Sequence, residues 1–150
     1  MFGICNLAIV PVRAEASDRS EQVSQLLFGE HFKIIEMTAK WVQIELAFDN
    51  YIGWIDAKQY QPITEEHYTV LNNTPIVLNS DLVEYITTPN NQLTSITLGA
   101  SLSFLDNEEI NTSKYSFEGI KVCGQKPKSD LVKTAFIYLK TALSEGICYL

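Results

Sequence analysis

Three thiols and two imidazoles are the side chains of this 150-residue chain best able to do covalent chemistry: Cys5, Cys123, Cys148, His31 and His67. A cysteine nucleophile works as the thiolate, so it needs a base, and a cation or a helix N-terminus to hold the charge. His31 heads a predicted strand and His67 lies in a polar connection, so neither is placed beside a thiol by its sequence context. The cysteines are odd in number, widely scattered and without C-x-x-C spacing, which predicts neither a disulfide framework nor a zinc site. Cys5 and Cys123 are expected to be buried and reduced. No metal, no cofactor and no catalytic residue is predicted.

Other chemistry-bearing residues have structural readings beside the functional ones. Glu45, Asp49 and Asp56 could form an acid pair, but carboxylates at turns and sheet edges more often solubilise them. Trp41 and Trp54 could line a ligand cleft. A domain this small cannot spare large apolar groups, so core and half-core roles are expected. Arg13 could hold a carboxylate with its forked guanidinium, or pair locally on the surface.

These residues must be positioned by short strands. In Trp41-Val42-Gln43-Ile44-Glu45-Leu46 the apolar residues alternate with polar ones, the pattern of a half-buried strand. Asp49-Asn50 supplies a turn, because both side chains bond the local backbone and tolerate unusual φ. Tyr51-Ile52-Gly53-Trp54-Ile55-Asp56 is a second strand, and Gly53 within it signals a bulge or a close backbone approach. The combination resembles the last hairpin of a bacterial SH3-like domain. Pro11-Val12-Arg13-Ala14-Glu15-Ala16-Ser17 resembles the strand and loop that open such domains, and Gln25-Leu26-Leu27-Phe28-Gly29-Glu30 their turn into the next strand. The resemblance covers roughly residues 3–62. It implies a fold and not a function, since small barrels of this type serve many purposes.

Composition sets outer limits. Apolar residues make up 46 % of the chain, which places it among globular proteins. A net charge of −7 with no run of Lys or Arg argues against a nucleic-acid surface, so no nucleic acid is expected as a partner. No stretch is long and apolar enough for a membrane span. Residues 1–10 lack a charged leader and a long apolar core, so no signal peptide, no membrane association and a cytoplasmic location are expected.

The predicted architecture is mainly β: two small SH3-like barrels in tandem, residues 1–62 and a divergent 63–126, then a helix and tail over 127–150. In the second unit Thr64-Glu65-Glu66-His67 is expected to be a connection, with short strands at 68–71, 76–78, 81–88, 94–98, 101–105 and 115–122. In the last, Leu131, Val132, Ala135, Phe136 and Leu139 mark one apolar face of a helix, with Ser129 as N-cap and Gly146 as stop. That face predicts docking onto the barrels, or self-association through the 127–143 helix.

Tandem SH3-like domains, the link Lys126-Pro127-Lys128 and a helix containing Ala135-Phe136-Ile137-Tyr138-Leu139 resemble the N-terminal part of an NlpC-type cysteine peptidase. Thr88-Pro89-Asn90-Asn91, Leu98-Gly99-Ala100-Ser101-Leu102 and Phe117-Glu118-Gly119 are similar to its murein-peptide members, γ-D-glutamyl-diamino acid endopeptidases that recycle cell-wall peptides. In those enzymes a helix of the G-x-D-C-S-G type carries the nucleophile, and a His follows far downstream. Here the sequence departs after Leu139 and ends at Leu150, which predicts truncation before the catalytic motif, with Cys148 at most a displaced relic of the nucleophile. The resemblance also implies that a Tyr of the first SH3-like domain meets the free amine of the substrate; by motif position this is Tyr51, with cross-strand packing as its structural reading. Two functions stay open. One is a non-catalytic region that positions and restricts a murein tripeptide-like substrate for a missing catalytic domain. The other is a free-standing module that binds a peptide or a partner protein. As an enzyme by itself the chain is expected to be inactive.

Overall fold

The computed structural model describes residues 1–105 and 114–123. The first part builds β1 (Phe2–Ile4), β2 (Ile9–Arg13), β3 (Gln22–Leu27), β4 (His31–Met37), β5 (Trp41–Leu46), β6 (Ile52–Asp56) and β7 (Gln61–Ile63). The single helix among the described residues is α1 (Glu65–Asn73). After it come β8 (Val77–Asn79), β9 (Val83–Thr87), β10 (Leu93–Thr97), β11 (Ser116–Phe117) and β12 (Lys121–Cys123).

The first seven strands form one antiparallel sheet in the order β3-β2-β6-β5-β4-β1-β7. Its centre is the expected hairpin. Val42 pairs with Ile55 and Ile44 with Gly53, and the inward residues Val42, Ile44, Leu46 and Ile55 join Val10, Val12, Leu26 and Phe32 in one buried cluster. Asn50 takes φ +59 in the turn, and Asp49 Oδ1 accepts from the Tyr51 N–H at 3.0 Å, as the Asp-Asn signal requires. Gly53 is the close approach that a glycine in a strand signals. A Cβ there would run into Val12 Cγ1, where β2 crosses the hairpin.

The described residues are mainly β with one helix, but none of their three sheets closes into a barrel. β2 meets β6 through one residue pair, Arg13 with Trp54, and β3 and β7 remain the two edges of the sheet. The second part is a three-stranded sheet, β10-β9-β11, and a two-stranded one, β12-β8. Its core is a second cluster of Leu71, Ile86, Ile96, Ala100, Leu102 and Phe104, completed by Phe28 from the turn after β3. Phe28 makes edge or tilted ring contacts with Phe104 and Tyr115 at 5.9 and 6.1 Å.

Three expected strands differ, and the expected connection 64–67 opens a helix. The strand expected over 115–122 is split into β11 and β12, which pair in different sheets. Residues 68–71 are helical, because Thr64 caps α1, its Oγ1 accepting from the His67 N–H at 3.2 Å, and Glu65 and Glu66 sit in the first turn where the helix dipole favours anions. Residues 101–105 make a single bridge, Ser101 to Leu78, and then turn. The alternation there reflects burial of Leu102 and Phe104 in the second core and not a ladder. The helix expected over 127–143, and the whole 127–150 segment with Cys148, lie outside the described residues.

Candidate functional site

Two clefts lie where the first sheet meets the second part of the chain, and they divide the two histidines. The first, of about 420 Å³, is walled on one side by Glu30, His31, Leu46, Ala47 and Phe48, and on the other by residues of α1, β8 and the 99–103 segment. His31 Nε2 lies 2.9 Å from Asn72 Oδ1, so the tautomer protonated at Nε2 donates across the cleft to α1. The His31 ring also meets Tyr68 edge-on at 5.4 Å, and Tyr68 stacks on Phe2 at 4.3 Å. Burial lowers the His31 pKa, opposed by the Asn72 bond. Beside it Glu30 accepts from the Leu27 N–H at 2.8 Å, closing the turn that carries Phe28 away from the sheet. Burial raises the Glu30 pKa, the bond from Leu27 opposes this, and the charge of Asp49 adds to it. Both groups are thereby pushed toward their uncharged forms.

The second cleft, of about 400 Å³, holds Cys5 and His67 together with Phe28, Thr64, Phe104 and Tyr115. A thiol and an imidazole in one cleft invite a nucleophile–base reading. The thiol excludes it. Cys5 is buried, its Sγ donates to the Leu7 carbonyl at 3.3 Å, and desolvation pushes its pKa up to about 11. At neutral pH it is a packed, protonated side chain.

The remaining sequence candidates are not brought together. Asp49 caps its own turn, Asp56 Oδ1 accepts from the Lys58 N–H at 2.8 Å in the next turn, and Glu45 stands opposite Lys33 in mid-strand. They serve local turns and cross-strand pairing, not an acid pair. Arg13 Nη1 donates to the Ser20 carbonyl at 2.8 Å, the local contact expected of it. Trp41 is 7 % exposed, with the Lys40 ammonium 5.4 Å over its ring, yet it lies outside both core clusters. Trp54 is half-buried. Cys123 is exposed, contrary to the expected burial, because β12 is a short strand paired on β8 with Val122 as its only half-buried residue. Tyr51 stands 39 % exposed at the end of the β5–β6 hairpin and lines neither cleft. Among the described residues no group of side chains is placed to hold a metal ion, and no helix is long and apolar enough to cross a membrane.

The clefts themselves are what sequence reasoning missed. The available signal was Thr64-Glu65-Glu66-His67, a helix start that turns the chain back over β1 and β4.

Residues 12–59 match the family model of the bacterial dipeptidyl-peptidase Sh3 domain. That segment is similar to a bacterial SH3-like domain. It coincides with β2 to β6, the strands around the hairpin. The fold is similar to the crystal structure of an NlpC/P60 family protein from Bacillus cereus, with a TM-score of 0.68 and 11 % sequence identity. That similarity covers 91 % of this chain and 63 % of the other, so the chain corresponds to less than two thirds of that protein's length. Sequence comparison with curated proteins gives no match. The family match supports the SH3-like region that the motifs around Gly29 and Gly53 resemble, and the structural similarity shows a fold shared with an NlpC/P60 protein.

Proposed function

We propose that this chain is a non-catalytic SH3-like region that positions and restricts the cell-wall peptide substrate of an NlpC-type cysteine endopeptidase, with Tyr51 as its substrate contact. The observation that carries the proposal is the match of residues 12–59 to an SH3 domain of a bacterial dipeptidyl-peptidase type. SH3-like domains of such peptidases generally bind cell-wall peptides. The hairpin geometry suits the role. Tyr51 follows Asn50 at φ +59, its N–H is held by Asp49, and its carbonyl accepts from the Leu46 N–H at 3.0 Å. The exposed phenol thus stands on a fixed backbone, and a preorganised contact costs little ordering on binding. The same proposal keeps the protein in the cytoplasm, where Cys5 and Cys123 stay reduced.

The test is a titration of the purified chain with L-Ala-γ-D-Glu-diaminopimelate, followed by amide chemical shifts. Saturable shifts centred on the 46–52 turn are expected, weakened at least about tenfold by Tyr51→Ala, the loss of one good contact of about 1.4 kcal/mol. No hydrolysis of the peptide is expected. Shifts that ignore the hairpin, or turnover abolished by Cys148→Ala, would defeat the proposal. A second reading, a free-standing module for a partner protein, is favoured by Phe48, an aromatic 77 % exposed on the same turn. Retention of a partner by the chain, lost in Phe48→Ser and unaffected by the tripeptide, would select it.

A further inference from the structure

We propose that the cleft between β4–β5 and α1–β8 is a separate binding site for an uncharged stretch of peptide carrying one bulky aliphatic or aromatic side chain. Its volume of about 420 Å³ falls in the range of small-ligand sites. Leu46, Leu71, Ile76 and Leu78 supply apolar wall, and Ser101 and Ser103 bring hydroxyls to the same space. The Ser103 oxygen already accepts from the Val77 N–H at 3.0 Å, which leaves its own O–H to donate. This is the make-up of a peptide subsite, a pocket for a side chain beside polar groups that can meet the flanking amides.

The choice of an uncharged occupant follows from the groups around the cleft. Among the described residues no Lys or Arg lines it, Glu30 and His31 are the titratable residues that do, and the Asp49 carboxylate acts on Glu30 from the adjoining turn. A ligand carboxylate would therefore be repelled by the Asp49 carboxylate and find no cation among the described lining residues. The mouth favours the same occupant. Phe48 on the hairpin and Ile76 before β8 are exposed at 77 % and 52 %, and both line the cleft. The inference does not depend on the role given to Tyr51, which lies outside this cleft.

The probes are N-acetyl-leucinamide, N-acetyl-alaninamide and N-acetyl-leucine with its free carboxylate, titrated into the intact chain by amide chemical shifts. The expected result is a saturable shift pattern at His31, Ala47, Asn72 and Ser101. The leucinamide should bind at least about tenfold tighter than the alaninamide, because each buried methylene favours binding. The free carboxylate should bind more weakly than the leucinamide. Ala47→Trp should fill the cleft and erase the shifts. Ile76→Trp, at a half-exposed position, does the same work if the first variant fails to fold. Tyr51→Ala should leave the leucinamide affinity unchanged. Equal affinity for the leucine and alanine amides, shifts that persist in a folded filled-cleft variant, or loss of binding in Tyr51→Ala would each overturn the proposal.

Discussion

The main-chain N–H of Ser101 donates to the carbonyl of Phe28 at 2.7 Å, tying the turn after β3 to the segment after β10. This one bond spans a long stretch of chain and sits beside the point where the two hydrophobic clusters meet. The Phe28 side chain, only 2 % exposed, completes the second core, while Leu26 on the preceding strand belongs to the first. Between Phe28 and Glu30 the backbone turns through Gly29 at φ +79, and a Cβ there would overlap the Ser101 carbonyl.

Gly29→Ala is therefore expected to cost about 2 kcal/mol or more, combining left-handed strain for a residue with a Cβ and a collision with backbone that cannot move aside. Gly99 is the matched control. It has φ +84, but a Cβ there would meet only Leu27 Cδ1 at 3.5 Å, an ordinary contact. Gly99→Ala should cost only the conformational part, about 1–2 kcal/mol. Urea unfolding of the two variants measures the difference. Equal losses would mean that the Phe28–Ser101 junction gives way under a methyl group.

Glu30 makes stability depend on pH in a defined direction. Its folded pKa is raised above the ordinary value of 4.5, chiefly by burial. The folded state therefore holds the proton more tightly than the unfolded chain. The stability from this group is fully present below pH 4.5 and is lost as pH rises through the folded pKa. His31 acts in the opposite sense. Its folded pKa lies below 6.5, so its contribution is present above that value and is lost as pH falls through the folded pKa. Glu30→Gln keeps an acceptor for the Leu27 N–H and removes the titration. The stability of this variant relative to wild type should rise as pH increases from 4.5 and then level off. A difference that stays constant with pH would show that the Glu30 carboxyl is hydrated in solution.

The two described thiols should differ sharply in reactivity. Cys5 is buried, with its pKa pushed up to about 11, whereas Cys123 is exposed on β12. In a Cys148→Ser background an aromatic disulfide reagent at neutral pH should modify one thiol per chain quickly. The other should react only when the protein unfolds, since thiolate and access are both required. Rapid modification of both, traced to Cys5 by peptide mapping, would show that the second cleft opens readily and would reinstate the Cys5–His67 pair as chemistry.

The β5–β6 hairpin and the character of its neighbours follow from local sequence. Alternation in Val42, Ile44 and Leu46 states which face is buried, Asp49-Asn50 states where the chain reverses, and Gly53 marks where another backbone comes close. Each of these is a local property, set by the two-residue period of a strand or by the bonds a side chain makes to its own backbone. Four residues at 68–71 were too few to separate strand from helix, and the Thr64 cap decided it. At 101–105 the apolar alternation was genuine, but it recorded Leu102 and Phe104 entering the second core, with Ser103 buried between them, and not pairing. That the sheets stay open, that Cys5 and His67 share a cleft, and that Glu30 and His31 line another are properties of the packed molecule. His31 meets Asn72 across 41 positions of the sequence. Contacts of that range come from how whole elements bury their apolar faces against one another, and burial is also what shifts the pKa values of the groups caught between them.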